Sequence, residues 1–530
     1  MTNRATFLRL GAALALFAIA CDPDEVTEAN DNPNDPTNAP SAALFTNATR
    51  SGVGRWLDGV GLPRYGFLAQ HFAEVQYPES DQYVRLQASG TTGLFDNSYA
   101  VELQDFQLVI NRGLEAAEPG LYGPPMVMKS WEVGMLTDVF GDVPYTEAFQ
   151  ADAGILSPAY DPQEAIYDSL FAMLDRAATD LAGASNELGD GDPIYGGDPD
   201  SWIRFANSLR ARHALRVVDV DAALADAELT AALADPAALI TTNDDNAQLE
   251  WPGDGIYDNP WASNFETRDD HRISNRLLIL LRDYSDPRLE IYAQPAQDPQ
   301  ADVAGVTLGF CPSGSAPCYV GLYNALEHSV SSEVIPNTSR VGMVFMPGAT
   351  SYGVTGGTGA SFPSFLMTAA EVEFIRAEAA ERSLGGLTPG QAQAFYNAGI
   401  TRSMEMWDVA PADIAAYLAE PEVAYNTAGT TADRLKQIAI QKWLALIIDP
   451  IQAWTNFRRT CQPAILEPGP DALTDAIPSR LQYSTTEQAV NRANYNLAVD
   501  EQGPDAFTTR VWWNTNAESA PTFEAGCGER

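Results

Sequence analysis

The side chains best placed for chemistry in this chain are aromatic rings and amides in polar, Pro- and Gly-rich stretches. Gln70, Tyr77 and Tyr83 fall in one such stretch. Trp251, Tyr257, Trp261 and Asn264 fall in a second, and Tyr352 in a third. Rings of this kind stack on the apolar faces of a polyhydroxylated ligand, while amides reach its hydroxyls. The same residue types also serve as ordinary packing or surface positions, so their placement decides. Nothing points to catalysis. The four histidines, His71, His213, His271 and His328, form no H-E-x-x-H pattern. There is no G-x-S-x-G, no Walker loop and no G-x-G-x-x-G. Carboxylates are too numerous for any pair to be singled out as a glycosidase dyad. The run Asn243-Asp244-Asp245-Asn246 offers oxygens to calcium but reads equally as a polar turn. We expect no cofactor and no metal.

Composition narrows the partners. The chain has 530 residues, 45% of them apolar and 10% aromatic, which suits a large globular core. Acidic residues number 71 against 31 basic ones, for a formal charge of -40. A nucleic acid would be repelled over most of such a surface. The acidity fits a solvated, salt-tolerant surface, or one that attracts cationic ligands.

The N-terminus reads as an address. Arg4 and Arg9 precede a short apolar run, Leu10 to Ala20, which is too short for a comfortable bilayer span. Ala18-Ile19-Ala20 then leads into Cys21, as in a bacterial lipobox, where the cysteine receives lipid. Residues 1–20 are therefore expected to be a signal peptide. Residues 21–40, rich in Asp, Asn, Pro and Thr, are expected to be a lipid-anchored flexible tether. Lipid on Cys21 leaves four cysteines for two disulfides. Cys311 and Cys318 bracket a Pro/Gly/Ser loop as a local pair, with Cys461 and Cys527 the remainder; free buried thiols are the alternative.

The elements that must position these groups are mostly helical. Ser41 to Arg50 and Leu103 to Ala117 have helical spacing. In Trp131 to Ala148, Val127, Trp131, Met135 and Val139 recur every four residues; Gly141 then suits a helix end and Pro144 bars continuation. Asp161-Pro162-Gln163-Glu164 predicts a capped helix start, and Asp200 or Ser201 a second. Arg204, Arg210, Arg212 and Arg216 lie on that second helix, Trp202 to Val218, and are expected to satisfy buried carboxylates and carbonyls. Helical periodicity falls away over residues 236–361. It resumes at Leu366 to Ser383, Pro389 to Trp407 and Arg434 to Ile448. Trp131, Trp202, Trp443 and Trp454 lie on periodic faces and are expected in the core.

Taken in order, several segments resemble the SusD/RagB outer-membrane nutrient-binding lipoproteins, in their SusD-like branch. They are Asn32-Pro33-Asn34-Asp35-Pro36-Thr37 behind Cys21, Leu136-Thr137-Asp138-Val139-Phe140-Gly141-Asp142-Val143-Pro144-Tyr145, and Tyr160-Asp161-Pro162-Gln163-Glu164-Ala165-Ile166-Tyr167. Further on come Asp192-Pro193-Ile194-Tyr195-Gly196-Gly197-Asp198, Phe205-Ala206-Asn207-Ser208-Leu209-Arg210, Gln441-Lys442-Trp443, Arg458-Arg459 and Trp512-Trp513. The resemblance implies a mostly α fold, with a tetratricopeptide-like helical-repeat scaffold, long irregular loops and a few short strands. Residues 41–530 would form one domain. Its scaffold would occupy about 41–235 and 362–460, its irregular ligand-face insertion about 236–361, and its irregular tail 461–530. The implied role is non-enzymatic: a lipid-anchored outer-membrane protein, facing outside, that binds oligosaccharide and acts as lid to a SusC-like TonB-dependent transporter. Peptide capture on the same scaffold, a secreted glycan hydrolase and a pure protein scaffold are the alternatives.

Overall fold

The computed structural model describes residues 39–59, 61–266, 268–298, 302–303, 306–307, 317–326, 335–348 and 356–515. Cys21, Cys311, His328, Tyr352 and Cys527 lie outside them, as do the signal, the lipid site and nearly all of the tether. The first half is helical: α1 (Ser41–Val53), α2 (Gly61–Leu68), α3 (Ala88–Asn97), α4 (Gln104–Ala116), α5 (Pro119–Phe140), α6 (Gln163–Leu181), α7 (Pro199–Val217) and α8 (Ala222–Ala232). Short helices follow at α9 (Pro260–Ser263), α10 (Asn275–Asp283) and α11 (Leu289–Tyr292). The second helical half has α12 (Ala369–Glu381), α13 (Pro389–Glu405), α14 (Pro411–Leu418), α15 (Thr431–Ala445), α16 (Pro450–Thr460), α17 (Thr485–Val490) and α18 (Arg492–Gln502). Successive helices pack on one another from α4 through α8, α12 packs on α13 and α15, and α7 meets α12 across the two halves. This is the helical-repeat scaffold.

Strands are few and short. β1 (Phe72–Glu74) pairs antiparallel with β5 (His271–Ile273), in the register Phe72 to Ile273 and Glu74 to His271. β2 (Val143–Pro144) pairs with β3 (Tyr160–Asp161), and β4 (Ala247–Leu249) with β8 (Ser364–Met367); β6 (Asp302–Val303) and β7 (Val306–Thr307) form a small hairpin. β4 and β8 together stitch the irregular segment onto the start of the second helical half.

Helix α5 is buried on every side from Tyr122 to Phe140, not only along the Val127, Trp131, Met135 and Val139 stripe. It is packed between α4, α6 and α7, which explains why its polar residues are also enclosed. It ends at Gly141, whose φ of 84° favours glycine; a Cβ there would collide with the Gln502 amide. That amide oxygen accepts from Asp142 N at 2.7 Å, tying the corner to α18.

Three helix starts differ from expectation. Asp161 does not cap α6; it sits in β3, and its carboxylate accepts from Tyr145 N and Thr146 N at 2.9 Å each, bracing the corner after α5. Gln163 N, at the start of α6, instead donates to Asp142 at 2.8 Å. Asp198, not Asp200 or Ser201, caps α7, accepting from Ser201 N at 3.1 Å. Leu366 and Met367 are strand, and the helix expected from Leu366 begins at Ala369 behind a Thr368 cap. Long-range pairing of Gln248 with Phe365 and of Ala247 with Met367 overrides the local helical pattern. Helix α15 is buried only from Ile438 onward; its first turns are exposed.

One continuous core runs from Phe45 to Trp513 and includes Trp56, Trp131, Trp202, Trp443, Trp454 and Trp513, each at most 1% exposed. Within it, Arg212 of α7 makes a bidentate pair with Glu371 of α12, its Nε donating to Oε1 at 2.9 Å. Asp449 stands 3.7 Å from Arg212, and Lys442 3.7 Å from Glu371. Arg216 lies 3.2 Å from Asp138, Arg210 pairs with Glu228, and Arg204 reaches Asp245 at 3.3 Å. The arginines of α7 thus satisfy carboxylates. Removing one partner of a buried, bidentate pair strands the other charge. Arg212→Met should therefore cost about 3–5 kcal/mol of stability, measured by denaturant titration. The double change Arg212→Met with Glu371→Leu should recover a large part of that loss.

Candidate functional site

The strand pair β1–β5 is the base of a face built from three distant segments: loop 75–87, residues 268–276 and residues 322–326. Ser274 N donates to His71 O, and Asn275 N to Leu322 O, so the insertion is zipped directly onto the loop's base. Tail residues join at the edge: Leu473 N donates to Gln82 O at 2.9 Å and Asp471 N to Ala325 O at 3.1 Å.

A buried carboxylate locks this junction. Asp81 is fully buried and accepts from Glu74 N at 3.1 Å, Ala325 N at 2.8 Å and Asn324 Nδ2 at 2.8 Å. Asn324 also donates to Phe72 O at 2.7 Å and accepts from Ser274 Oγ at 2.7 Å. Beside it, Asp269 gathers Arg272 at 2.8 Å and Arg340 at 2.6 Å. Burial opposes that charge, yet the two guanidiniums hold the Asp269 carboxyl below its usual range.

Around this base stand three non-glycine residues with left-handed backbone, Gln70 just before β1 and Tyr77 and Tyr83 on the loop, at φ 54°, 58° and 69°. Such conformations store strain and persist only where the surroundings impose them. The result is an exposed ring: Tyr77 is 45% exposed, with the Arg268 guanidinium 4.8 Å from its centroid. Arg268 is held in turn by Asp270 at 3.4 Å. Nearby, a cleft of about 100 Å³ is lined by Arg276, Tyr323, Asn324 and Glu467, among others. Arg276 pairs with Glu467 there.

The remaining sequence candidates separate into distinct roles. Gln70 is fully buried and clasps the backbone of Glu467, accepting from its N at 3.3 Å. Tyr83 is fully buried beneath the loop. Trp251 is 8% exposed and donates to Ser364 Oγ at 2.6 Å, and Trp261 is 4% exposed and donates to Leu57 O at 3.0 Å. These four are packing and bracing residues in this structure. Tyr257 is exposed, with Arg50 3.9 Å over its ring, and shares that arginine with Trp251. Asn264 is half-buried and donates to Pro260 O within its own turn. Asn243–Asp245 forms a 3-10 turn with Thr242 at its N-cap, and Thr242 N donates to the Asp245 carboxylate at 3.1 Å. Among the described residues no group of three His, Cys, Asp or Glu side chains is placed to hold a metal ion. Cys318 and Cys461 are each in a disulfide bond. Arg268, Arg276 and Glu467 were not singled out in the sequence. The charged run Arg268-Asp269-Asp270-His271-Arg272 was the only local signal for the first of them.

A helical scaffold that presents a braced loop face with an exposed ring is the build of a surface-binding protein. The chain belongs to the SusD-like family described as starch-binding associating with outer membrane, which matches residues 33–484. Its members are non-catalytic and serve nutrient binding at the outer membrane, typically beside SusC-like TonB-dependent transporters. Among solved structures, a chitin-binding protein is 27% identical with a TM-score of 0.74, over 90% of this chain and 100% of its own. A chitin-binding SusD homolog from Flavobacterium johnsoniae is 26% identical, with a TM-score of 0.72 over 90% of this chain and 98% of its own. A SusD homolog from Bacteroides uniformis shares the fold at 23% identity and a TM-score of 0.74, over 90% and 100%. No curated protein matches the chain. No described helix is long and apolar enough to cross a membrane.

The locked junction has a pH signature. Burial pushes the Asp81 carboxyl up from 3.8 to about 7. The folded chain therefore holds this proton more tightly than the unfolded chain. The stability that the proton contributes is complete below 3.8 and is lost as pH rises towards about 7. In melting curves across this range, the stability of the wild type relative to Asp81→Asn should fall with rising pH and then level off. A difference that does not change with pH would remove Asp81 as a titrating group.

Proposed function

We propose that this chain captures oligosaccharide on the cell surface and delivers it, as a lid, to a SusC-like TonB-dependent transporter. Cys21 carries the lipid, and residues 22–40 give the folded body its reach from the outer membrane. The observation that carries the reading is Tyr77: an exposed ring, backed by Arg268, on a loop whose base is braced from three segments. A ring held this way offers a flat apolar face to a pyranose at little entropic cost. Tyr323, Arg276 and Glu467 at the adjacent cleft offer the polar partners for hydroxyls and amides. The two chitin-binding relatives support β-linked N-acetylglucosamine oligomers as the first ligands to try.

The acidity of the chain favours a second reading, capture of cationic peptides. Salt separates the two: a neutral sugar binds alike at low and high ionic strength, and a cationic peptide does not. Calorimetric titration of N-acetylglucosamine oligomers should give saturable, salt-insensitive binding with the oligomer recovered intact. Tyr77→Ala should weaken it about tenfold and leave the melting temperature nearly unchanged, because the ring is half exposed. Binding that is indifferent to Tyr77 would move the site elsewhere, and cleaved oligomer would end the non-catalytic reading.

A further inference from the structure

A second cleft, of about 380 Å³, shares no lining residue with the loop face. It lies between α3, the loop following β2 and the start of α17. Its wall is an aromatic ladder: Phe95 and Tyr99 have centroids 5.2 Å apart, and Phe149 follows 6.1 Å beyond Tyr99. Phe149 is held at a left-handed φ of 62°. The Tyr99 hydroxyl is turned away, donating to Pro144 O at 2.7 Å, so its ring is fixed.

Three carboxylates line the same cleft, Asp96, Glu147 and Glu487, and no Lys or Arg does. Each is anchored through one oxygen. Asp96 Oδ2 accepts from Thr486 Oγ1 at 2.6 Å, and Glu147 Oε2 from Ala159 N at 2.7 Å. Glu487 Oε2 accepts from Tyr160 OH at 2.8 Å and Asn491 Nδ2 at 2.9 Å. These bonds fix the carboxylates while leaving the second oxygen of each outside them. Lys129 Nζ stands 5.4 Å from the Phe149 centroid and 5.1 Å from that of Tyr145, so one ring of this wall already carries a cation.

Fixed rings with fixed carboxylates, and a lining without Lys or Arg, are the chemistry that recognises organic ammonium groups. The volume matches a small ligand, since such sites run to about 300–1,000 Å³. We infer that this cleft binds a small organic cation with an apolar body, its body against Tyr99 and Phe149 and its charge against Glu147 and Glu487.

Calorimetric titration of the purified chain with benzyltrimethylammonium tests the inference. We expect one saturable site, about tenfold weaker in the double variant Glu147→Gln, Glu487→Gln. General acidity is controlled by Glu164→Gln with Asp168→Asn, two exposed carboxylates on α6, which should leave affinity unchanged. Benzyl alcohol, the neutral analogue, should bind at least about tenfold more weakly than the cation. Equal loss in the remote pair, equal affinity for benzyl alcohol, or no saturation in the wild type would each overturn the inference. If the carboxylate variant fails to fold, Phe149→Leu replaces it, with the same weakening expected and unchanged binding overturning the inference. N-acetylglucosamine oligomers should not displace the cation, so this result stands or falls separately from the sugar-binding reading.

Discussion

The constraint on which the rest of this structure depends is the pairing of buried charge between the two helical halves. Arg212 on α7 and Glu371 on α12 face each other with about 2% of either side chain exposed. Lys442 from α15 and Asp449 at the head of α16 complete the cluster. Within the second half, Arg459 of α16 makes a further bidentate pair with Glu378 of α12, at 2.7 Å on both oxygens. Burial alone would raise Glu371 and Glu378, yet the facing cations hold both below their usual range. Hydrophobic packing alone tolerates sliding between helices; a fork of hydrogen bonds between a guanidinium and a carboxylate does not. The two halves are therefore held in one register, and the irregular segment between them inherits fixed end points.

Asp138 extends the same logic to the chain's end. Its carboxylate accepts from Tyr167 OH at 2.6 Å and Trp513 Nε1 at 2.8 Å, and it faces Arg216 at 3.2 Å. One residue on α5 thus ties α6, α7 and the C-terminal tail together. Arg458 stacks on Trp454 at 3.6 Å and donates to the Asp138 carbonyl, bringing α16 into the same knot. The tail, expected to be irregular over 461–530, instead carries α17 and α18 and is tied in by these contacts. It can then brace the loop face through Leu473 and Asp471.

What could be read from the chain follows the range of the interactions involved. Pro389 and Pro450 open α13 and α16 as local rules require, and the four periodic tryptophans are core. The predictions that shifted were settled by partners far away in sequence. Asp161 looks like a cap but is used by Tyr145 and Thr146. Met367 looks helical but pairs with Ala247. Trp251 and Trp261 have the composition of a binding loop, yet Ser364 and the Leu57 carbonyl draw their indoles inward. Tyr77 and Tyr257 were equally placed in sequence and are exposed. Arg268 does not stand out in the sequence because its value lies in standing over Tyr77, a contact that spacing cannot show. Local pattern specifies elements; the exposure of a ring is a tertiary property.

This arrangement also bears on the acidity of the surface. Arg212, Arg216, Arg272, Arg288, Arg458, Arg459 and Arg480, with Lys129 and Lys442, are all at most 6% exposed. These cations hold the scaffold, where they meet buried carboxylates such as Asp138, Glu371 and Glu378, and the formal charge of -40 sets an acidic overall field. Such a field repels anions, concentrates cations and leaves neutral molecules alone. On the proposed reading, a neutral oligosaccharide would be recognised by shape and hydrogen bonds alone, at the face that carries Tyr77 and Arg268. The same field would draw an organic ammonium towards every carboxylate, and only a fixed ring wall such as Phe95, Tyr99 and Phe149 can turn that general attraction into a site. Buried arginine therefore stabilises the scaffold, while the overall acidic charge bears on which ligand chemistries the chain can distinguish.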